Sequence, residues 1–326
     1  MPDAERIPIL VTGGAGFIGS HFCEKVIEET DWDLWILDKL TYAGSLDSLA
    51  SIKDSPRFHF VRGDIASADL VDRLFRECPF QFVAHLAAES HVDRSIVAPD
   101  DFIQSNIVGT FRLLEAFRRH YKERPGSRFL QVSTDEVYGS IEGSGSADET
   151  ANLLPNSPYS ASKAAGDLLV RSYHRTYGLP LVLTRASNNF GPRQHPEKMI
   201  PTVIRCALRD QPIPVYGDGR NIRDWVYVTD HVGGILAALK EGSPGEIYNI
   251  GGTEDMDNLT LVGRILDTLR KPRSLISFVE DRPGHDRRYA ITTAKARRDL
   301  GYRPAVGFEE GLRRTCEWYR RYFQTR

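Results

Sequence analysis

The eight residues Thr12-Gly13-Gly14-Ala15-Gly16-Phe17-Ile18-Gly19 restrict this chain more than any other stretch. They follow an apolar run, Ile7-Pro8-Ile9-Leu10-Val11, that reads as a buried strand, and they enter a helical pattern from about Ser20 to Glu29. Gly14, Gly16 and Gly19 satisfy G-x-G-x-x-G, and Gly13, Gly16 and Gly19 satisfy the related G-x-x-G-x-x-G. Glycines permit the tight turn and let the backbone approach a pyrophosphate, while the helix start offers free N–H groups and a positive dipole end. The next strand, Leu34-Trp35-Ile36-Leu37, ends in Asp38, nineteen positions after Gly19, where a ribose 2′-hydroxyl acceptor is expected. A carboxylate there repels a 2′-phosphate, so the spacing predicts NAD rather than NADP; Lys39 beside it works slightly against that preference.

The strand–helix alternation continues. Phe58 to Val61 reads as a strand running to Gly63-Asp64-Ile65, about Ala68 to Glu77 as a helix, and Phe80 to Leu86 as a strand ending in Ala87-Ala88-Glu89-Ser90. A long helix is expected from about Pro99 to Tyr121, with Phe102, Ile103, Ile107, Leu113, Leu114 and Phe117 on an apolar stripe. Arg128 to Val132 is the next strand, and Leu181 to Leu183 another. This rhythm predicts an α/β fold with a Rossmann-like, doubly wound parallel sheet. After Ser187 the rhythm breaks into short strands, such as 213–216 and 246–250, and amphipathic helices. The expected division is a dinucleotide-binding domain over 1–185, rejoined by 225–250, and a smaller substrate-binding lobe over 186–326.

Chemistry concentrates at Ser133-Thr134-Asp135-Glu136-Val137-Tyr138, directly after the strand 128–132. Ligands bind at the carboxyl ends of strands in such sheets, and adjacent acids there are costly unless the site uses them. Residues 140–157, rich in Gly, Ser and Asn, read as a loop crossing the mouth of the site. Ser157-Pro158 then starts a helix to about Tyr177, as N-cap and first position. Tyr159 and Lys163 lie four residues apart on it, on one face. A cation near the phenol is expected to lower its pKa and make it a base.

Composition excludes several classes. A net charge of −2 without blocks of like charge gives no nucleic-acid footprint or polybasic membrane patch, and no apolar run reaches membrane-spanning length. Cys23, Cys78, Cys206 and Cys316 are far apart and form no metal or redox pair. A cytoplasmic protein with reduced thiols and no metal is expected.

The motifs at 12–19, 38–44 (Asp-Lys-Leu-Thr-Tyr-Ala-Gly), 85–95 (His-Leu-Ala-Ala-Glu-Ser-His-Val-Asp-Arg-Ser), 133–139 and 159–163 together closely resemble the dTDP-glucose 4,6-dehydratases, extended members of the short-chain dehydrogenase/reductase superfamily. The likeness continues through 187–192, 196–201, 223–228 and 281–289, and so spans the chain. It implies a lyase of deoxysugar biosynthesis whose NAD site comprises Gly13, Gly16, Phe17, Ile18, Gly19, Asp38, Lys39, Leu40, Thr41, Ala43, Gly44, Asp64, Ile65, Leu86, Ala87, Ala88, Ser105 and Asn189, joined by Tyr159 and Lys163. It assigns Thr134, Asp135, Glu136, Tyr159 and Lys163 to catalysis. Ser90, Thr134, Asn188, Lys198, Met199, Pro214, Val215, Tyr216, Arg223, Asn258, Arg282 and His285 are assigned to the nucleoside diphosphate glucose. It further implies a homodimer through a four-helix bundle of the helices near 99–121 and 159–177. Arg193 stands where the resemblance leads us to expect an aromatic residue. A UDP-sugar 4,6-dehydratase, a 4-epimerase and a non-catalytic NAD sensor are the rivals; an epimerase has no use for an acid pair after Thr134, and a sensor none for Tyr159 and Lys163.

Overall fold

The computed structural model describes residues 6–324; the polar lead-in before Arg6 and the last two positions lie outside the described residues. In the first half come β1 (Pro8–Thr12), α1 (Phe17–Glu29), β2 (Asp33–Asp38), β3 (Phe58–Arg62), α2 (Ala68–Glu77), β4 (Phe82–His85), α3 (Val92–Val97), α4 (Asp100–Phe102), α5 (Thr110–Glu123), β5 (Arg128–Thr134), α6 (Pro158–Tyr177) and β6 (Leu181–Ala186). The second half holds β7 (Asn188–Phe190), α7 (Met199–Leu208), β8 (Ile213–Tyr216), β9 (Ile222–Tyr227), α8 (Val228–Glu241), β10 (Ile247–Ile250), β11 (Asp255–Asp257), α9 (Asn258–Leu269), β12 (Ile276–Val279), α10 (Ala294–Leu300) and α11 (Phe308–Gln324).

Seven strands form one parallel sheet in the order β10-β6-β5-β4-β1-β2-β3. The chain leaves β1 toward β3 and then returns to β4 on the other side, so the order reverses between β1 and β4. Ligands bind in the crevice at the carboxyl ends of strands flanking such a reversal. The sheet is covered on both faces, which is why β6 is buried at all six positions, its one charged residue, Arg185, being paired with Asp167. One face packs Ile9, Val11, Phe22, Val26, Ile235 and Leu239, from β1, α1 and α8. The other packs Leu10, Leu74, Leu113, Phe117 and Phe129, from β1, α2, α5 and β5. Each fully buried leucine or phenylalanine there contributes roughly 1.5–3 kcal/mol. A separate core holds Phe190, Ile204, Val215, Trp225, Ile265, Leu312 and Tyr319 between α7, α9 and α11. Two small sheets, β11-β9-β7 and β12-β8, belong to that side, while α8 and β10 lie with the large sheet.

The helix expected over 99–121 is not one α-helix. After α4, residues 103–109 adopt π-helical bonding before α5 begins at Thr110. The wider turn aims the Asn106 side chain inward: its carbonyl accepts from the Glu89 N–H at 2.9 Å, and its amide donates to the Glu89 carbonyl at 3.0 Å and the Ser162 hydroxyl at 2.8 Å. Gly109 packs closely under Ile65: a Cβ there would sit 2.5 Å from Ile65 Cδ1, so that side chain would have to move. Most of the expected stripe is intramolecular core: Phe102, Leu113, Leu114 and Phe117 are buried within the chain, whereas Ile103 is exposed. Helix α1 starts three residues earlier than expected, at Phe17, because Gly16 serves as its N-cap. The 140–157 loop contributes no residue to the lining of the cleft at the strand ends. Its Ile141 and Ala147 N–H groups donate to the carbonyls of Arg288 and Ala290, which fixes it against that segment instead.

Candidate functional site

The glycine turn is closed by backbone bonds from Gly13 N to Leu37 O at 2.9 Å and from Gly16 N to Gly13 O at 3.2 Å. Gly13 has a left-handed φ of 72°, and a Cβ on Gly19 would lie 2.0 Å from the Gly13 carbonyl oxygen. Helix α1 has no side-chain cap, so the N–H groups of its first turn are left to the cleft that Phe17, Ile18 and Gly19 line. Asp38 ends β2 with one carboxylate oxygen accepting from Ala15 N at 2.9 Å and the other from Leu40 N at 2.8 Å. Burial pushes its carboxyl up, against those two bonds. The Lys39 ammonium is engaged by Asp64 at 2.7 Å, which leaves it poorly placed to offset Asp38. An uncapped helix start, a side-chain-free turn and a carboxylate one strand over fit a dinucleotide without a 2′-phosphate.

Thr134 closes β5, and the chain turns at once into a single 3₁₀ turn, Asp135–Tyr138. The Thr134 hydroxyl accepts from Glu136 N at 3.3 Å and donates to Asp135 Oδ1 at 3.3 Å. Asp135 is buried, and its Oδ2 has no hydrogen-bond partner among the described residues. Burial pushes its carboxyl well up, with the charges of Glu136 and Asp224 adding. Glu136 opens to the cleft; burial raises its carboxyl too, but Arg223, Arg282 and Lys198 pull it back. Adjacent acids thus have unequal surroundings, one held as an acid and one surrounded by cations.

The Ser157–Ser160 capping box and Pro158 start α6 where the sequence predicts, and its first turns deliver Tyr159 and Lys163 to the cleft. The Lys163 ammonium donates to the Val132 carbonyl at 2.8 Å, and burial pulls its pKa down to about 8, with Asp167 one turn on opposing. Asp167 is itself paired with Arg185 at 2.9 Å, both buried. Tyr159 departs from expectation: burial pushes its phenol up, Glu136 and Asp135 add to that, and a hydrogen bond with Thr134 opposes. The residues around it, taken alone, do not make it a ready base.

One cleft collects most of the expected residues: the glycine turn, Asp38, Lys39, Thr41, Ala43, Gly44, Asp64, Ile65, 86–88, Ser90, Ser105, 134–136, Tyr159, Lys163, Asn188, Asn189 and Lys198. Leu40 does not line it; its φ of 56° turns the chain beneath Asp38. Met199, Pro214, Val215, Tyr216, Arg223, Asn258, Arg282 and His285 also stand outside the lining. Arg223 is buried, donating to the carbonyls of Ile222 and Asp286 at 2.7 and 2.9 Å, under the Tyr289 ring. Arg282 is paired with Asp93 at 2.9 Å, and His285 with Asp281 at 2.6 Å. Val215 belongs to the second core, and the Asn258 N–H caps the Asn221 carbonyl at 3.1 Å. The sequence reading missed Glu89, Gln194, His195, Glu197 and His231, which do line the cleft. Gln194, His195 and Glu197 fall between Asn189 and Lys198, and that bracket was the available signal.

Residues 10–315 match the family model described as GDP-mannose 4,6 dehydratase. The dTDP-glucose 4,6-dehydratase of Neisseria gonorrhoeae is 51% identical over 328 residues, 95% of each chain. That of Actinoplanes is 52% identical over 318 residues, covering 96% of this chain and 97% of its own. Among solved structures, the Streptomyces venezuelae dTDP-glucose 4,6-dehydratase with NAD and dTDP bound superposes with a TM-score of 0.93 at 47% identity, over 98% of both chains. A Thermotoga maritima UDP-glucose 4-epimerase with UDP-glucose superposes at 0.89 with 30% identity, over 97% of this chain and all of its own. Shape alone therefore does not separate the two chemistries; the residues after Thr134 must.

Proposed function

This chain belongs to the dTDP-glucose 4,6-dehydratase family, and on that premise we propose how its residues convert dTDP-glucose to dTDP-4-keto-6-deoxyglucose and water. It is an NAD-dependent hydro-lyase. The observation that carries the assignment of roles is the Thr134-Asp135-Glu136 run meeting Tyr159 and Lys163 in the cleft that the glycine turn opens.

Tyr159 takes the C4 hydroxyl proton, Lys163 is its cationic neighbour, and Thr134 orients the oxygen. The glycine turn, Asp38 and the 86–88 strand end would hold NAD, which would supply the hydride acceptor for C4 and donor for C6 and, while oxidised, a positive charge that would favour the Tyr159 phenolate against burial. The C4 ketone acidifies C5, and Glu136, the carboxyl open to the cleft, removes that proton. Asp135, kept protonated by burial beside Glu136, gives its proton to the C6 hydroxyl, which leaves as water. C5 is then reprotonated, and one proton passes from Tyr159 back to Asp135 to reset the site. Asn188 and Lys198, which line the cleft, are the residues we assign to the sugar nucleotide; Arg223 and Arg282, whose charges reach Glu136, would supply the cationic surroundings that a diphosphate needs.

Substrate deuterated at C4 tests the scheme: the label should appear at C6, and turnover in heavy water should place one deuterium at C5. A C4 label found back at C4, or C5 free of deuterium, would defeat it. Homodimerisation is supported by apolar side chains left exposed on α3 and α6, with Val97 86% and Leu168 53% exposed. Sedimentation should show a dimer that Leu168→Arg weakens. Four buried free cysteines, with no helix of the described residues long and apolar enough to cross a membrane, support a cytoplasmic setting.

A further inference from the structure

The segment from β7 to the start of α7, residues 188–198, is fastened beside the cleft near its middle and at its far end, by contacts the chemistry does not use. It carries Asn188, Asn189, Gln194, His195, Glu197 and Lys198 into the cleft lining. Near its middle Arg193 holds a left-handed φ of 68°, a conformation that persists in a non-glycine residue only when its surroundings impose it. The surroundings here are explicit. One terminal nitrogen of Arg193 donates to Glu24 Oε1 at 2.7 Å and to the Ser48 carbonyl at 3.0 Å. The other pairs with Glu24 Oε2 and donates to His21 Nδ1 at 2.7 Å. His21 Nε2 in turn donates to the Pro192 carbonyl at 3.0 Å, which fixes the neutral tautomer and leaves Nδ1 as the acceptor Arg193 needs. Burial and the Arg193 charge pull His21 down to about 4, so it stays neutral and the arrangement holds through the neutral range.

These contacts join three pieces of the cofactor side: α1, which opens on the glycine turn; the 3₁₀ turn Leu46–Leu49, which follows the Asp38–Gly44 loop; and the segment itself. At the far end Glu197 faces His91, Arg94 and His195 at 3.6, 3.2 and 3.5 Å. Arg94 also lies over the Tyr42 ring at 3.6 Å, and Tyr42 sits between the cleft-lining Thr41 and Ala43.

We propose that Arg193 is a positioning residue that locks the 188–198 segment over the dinucleotide, so that NAD leaves only when this lock opens. The inference rests on the NAD-dependent reading above. The reaction returns its hydride within one turnover, so no step calls for cofactor exchange, and loss of cofactor midway would strand an oxidised sugar. Arginine suits the task because its planar fork serves both Glu24 oxygens while its remaining donors reach Ser48 and His21; a lysine has neither the plane nor the reach to all four. An aromatic residue, expected here from the resemblance, could not serve Glu24, Ser48 and His21 together.

The test follows cofactor release directly. NAD-loaded protein is passed rapidly into cofactor-free buffer, and retained nicotinamide is measured over time for the parent, Arg193→Ala, Arg193→Lys, Glu24→Arg and the exchanged pair Glu24→Arg with Arg193→Glu. Both Arg193→Ala and Glu24→Arg should release NAD on the order of tenfold faster or more, Arg193→Lys should fall between, and the exchanged pair should recover slower release than either single variant. Activity lost by Arg193→Ala on dilution should return with excess NAD. Melting followed by circular dichroism, with and without NAD, shows that each variant is folded, and the stabilisation by NAD should shrink in Arg193→Ala. Parental release rates from folded Arg193→Ala or Arg193→Lys would overturn the lock. Failure of the parent itself to bind NAD would instead overturn the functional reading beneath it.

Discussion

Replacing Glu136 with Gln should separate the two halves of the reaction. The amide keeps the size of the side chain and its place among Lys198, Arg223 and Arg282 but loses the charge. That charge is the largest influence after burial in holding both Tyr159 and Asp135 up, so its removal lowers both pKa values. Oxidation at C4 depends on the phenolate. Its rate should therefore reach half-maximum at a lower pH in the variant, each unit corresponding to about 1.4 kcal/mol. Abstraction at C5 loses its base, and steady-state turnover should fall by roughly 10² to 10⁴, or about 3–5 kcal/mol on the barrier. The cations lose a counter-charge while an anionic diphosphate must still bind, so KM should not rise. Rapid mixing of NAD-loaded protein with dTDP-glucose, followed by nicotinamide absorbance across a pH series, reads the first half; chemical detection of the 4-keto product reads the whole. Turnover at the parental rate, or an oxidation profile displaced to higher pH, would refute this assignment of Glu136.

The parent should bind NAD well and NADP poorly, and Asp38→Ala should narrow the gap while weakening NAD; equal binding of both by the parent in titration would show the acid misread. Gly19→Ala places a methyl 2.0 Å from the Gly13 carbonyl oxygen, a backbone atom, and overpacking of roughly 1–3 kcal/mol should weaken NAD binding about 10- to 100-fold. Native-like affinity by calorimetry would mean that the turn is looser than its packing indicates. Phe117→Ala empties a fully buried site between α5 and β5 and should cost about 3–5 kcal/mol in denaturant unfolding, with bound NAD chemistry intact in the folded fraction.

What the sequence made legible follows local chemistry. Helix α6 could be placed to the residue because Ser157-Pro158 and Gly178 are themselves its capping chemistry. The glycine turn and Asp38 were readable because a strand, a turn and a helix lie in one short stretch. The π-helical 103–109 was not: its apolar spacing is that of an α-helix, and its cause, Asn106 reaching Glu89 and Ser162, is tertiary. His231 carries no local motif and reaches the cleft only through packing. The acidity of Tyr159 was misjudged for the same reason. Lys163 is visible four residues away, whereas burial and the charges of Glu136 and Asp135 appear only once β5 and α6 meet.

The order in which the large sheet is completed has a consequence for biosynthesis. Strand β6 pairs on one side with β5 and on the other only with β10, which is translated after residues 187–246. At about 5–20 residues per second, the outer edge of Leu181–Ala186 stays bare for roughly 3–12 s on the ribosome, a row of unpaired amides on an entirely buried strand. Translation that stops inside that window should yield an aggregating fragment rather than a smaller nucleotide-binding protein, since the last strand of the cofactor-bearing sheet is encoded beyond β7, α7, β8 and β9 of the lobe that faces it.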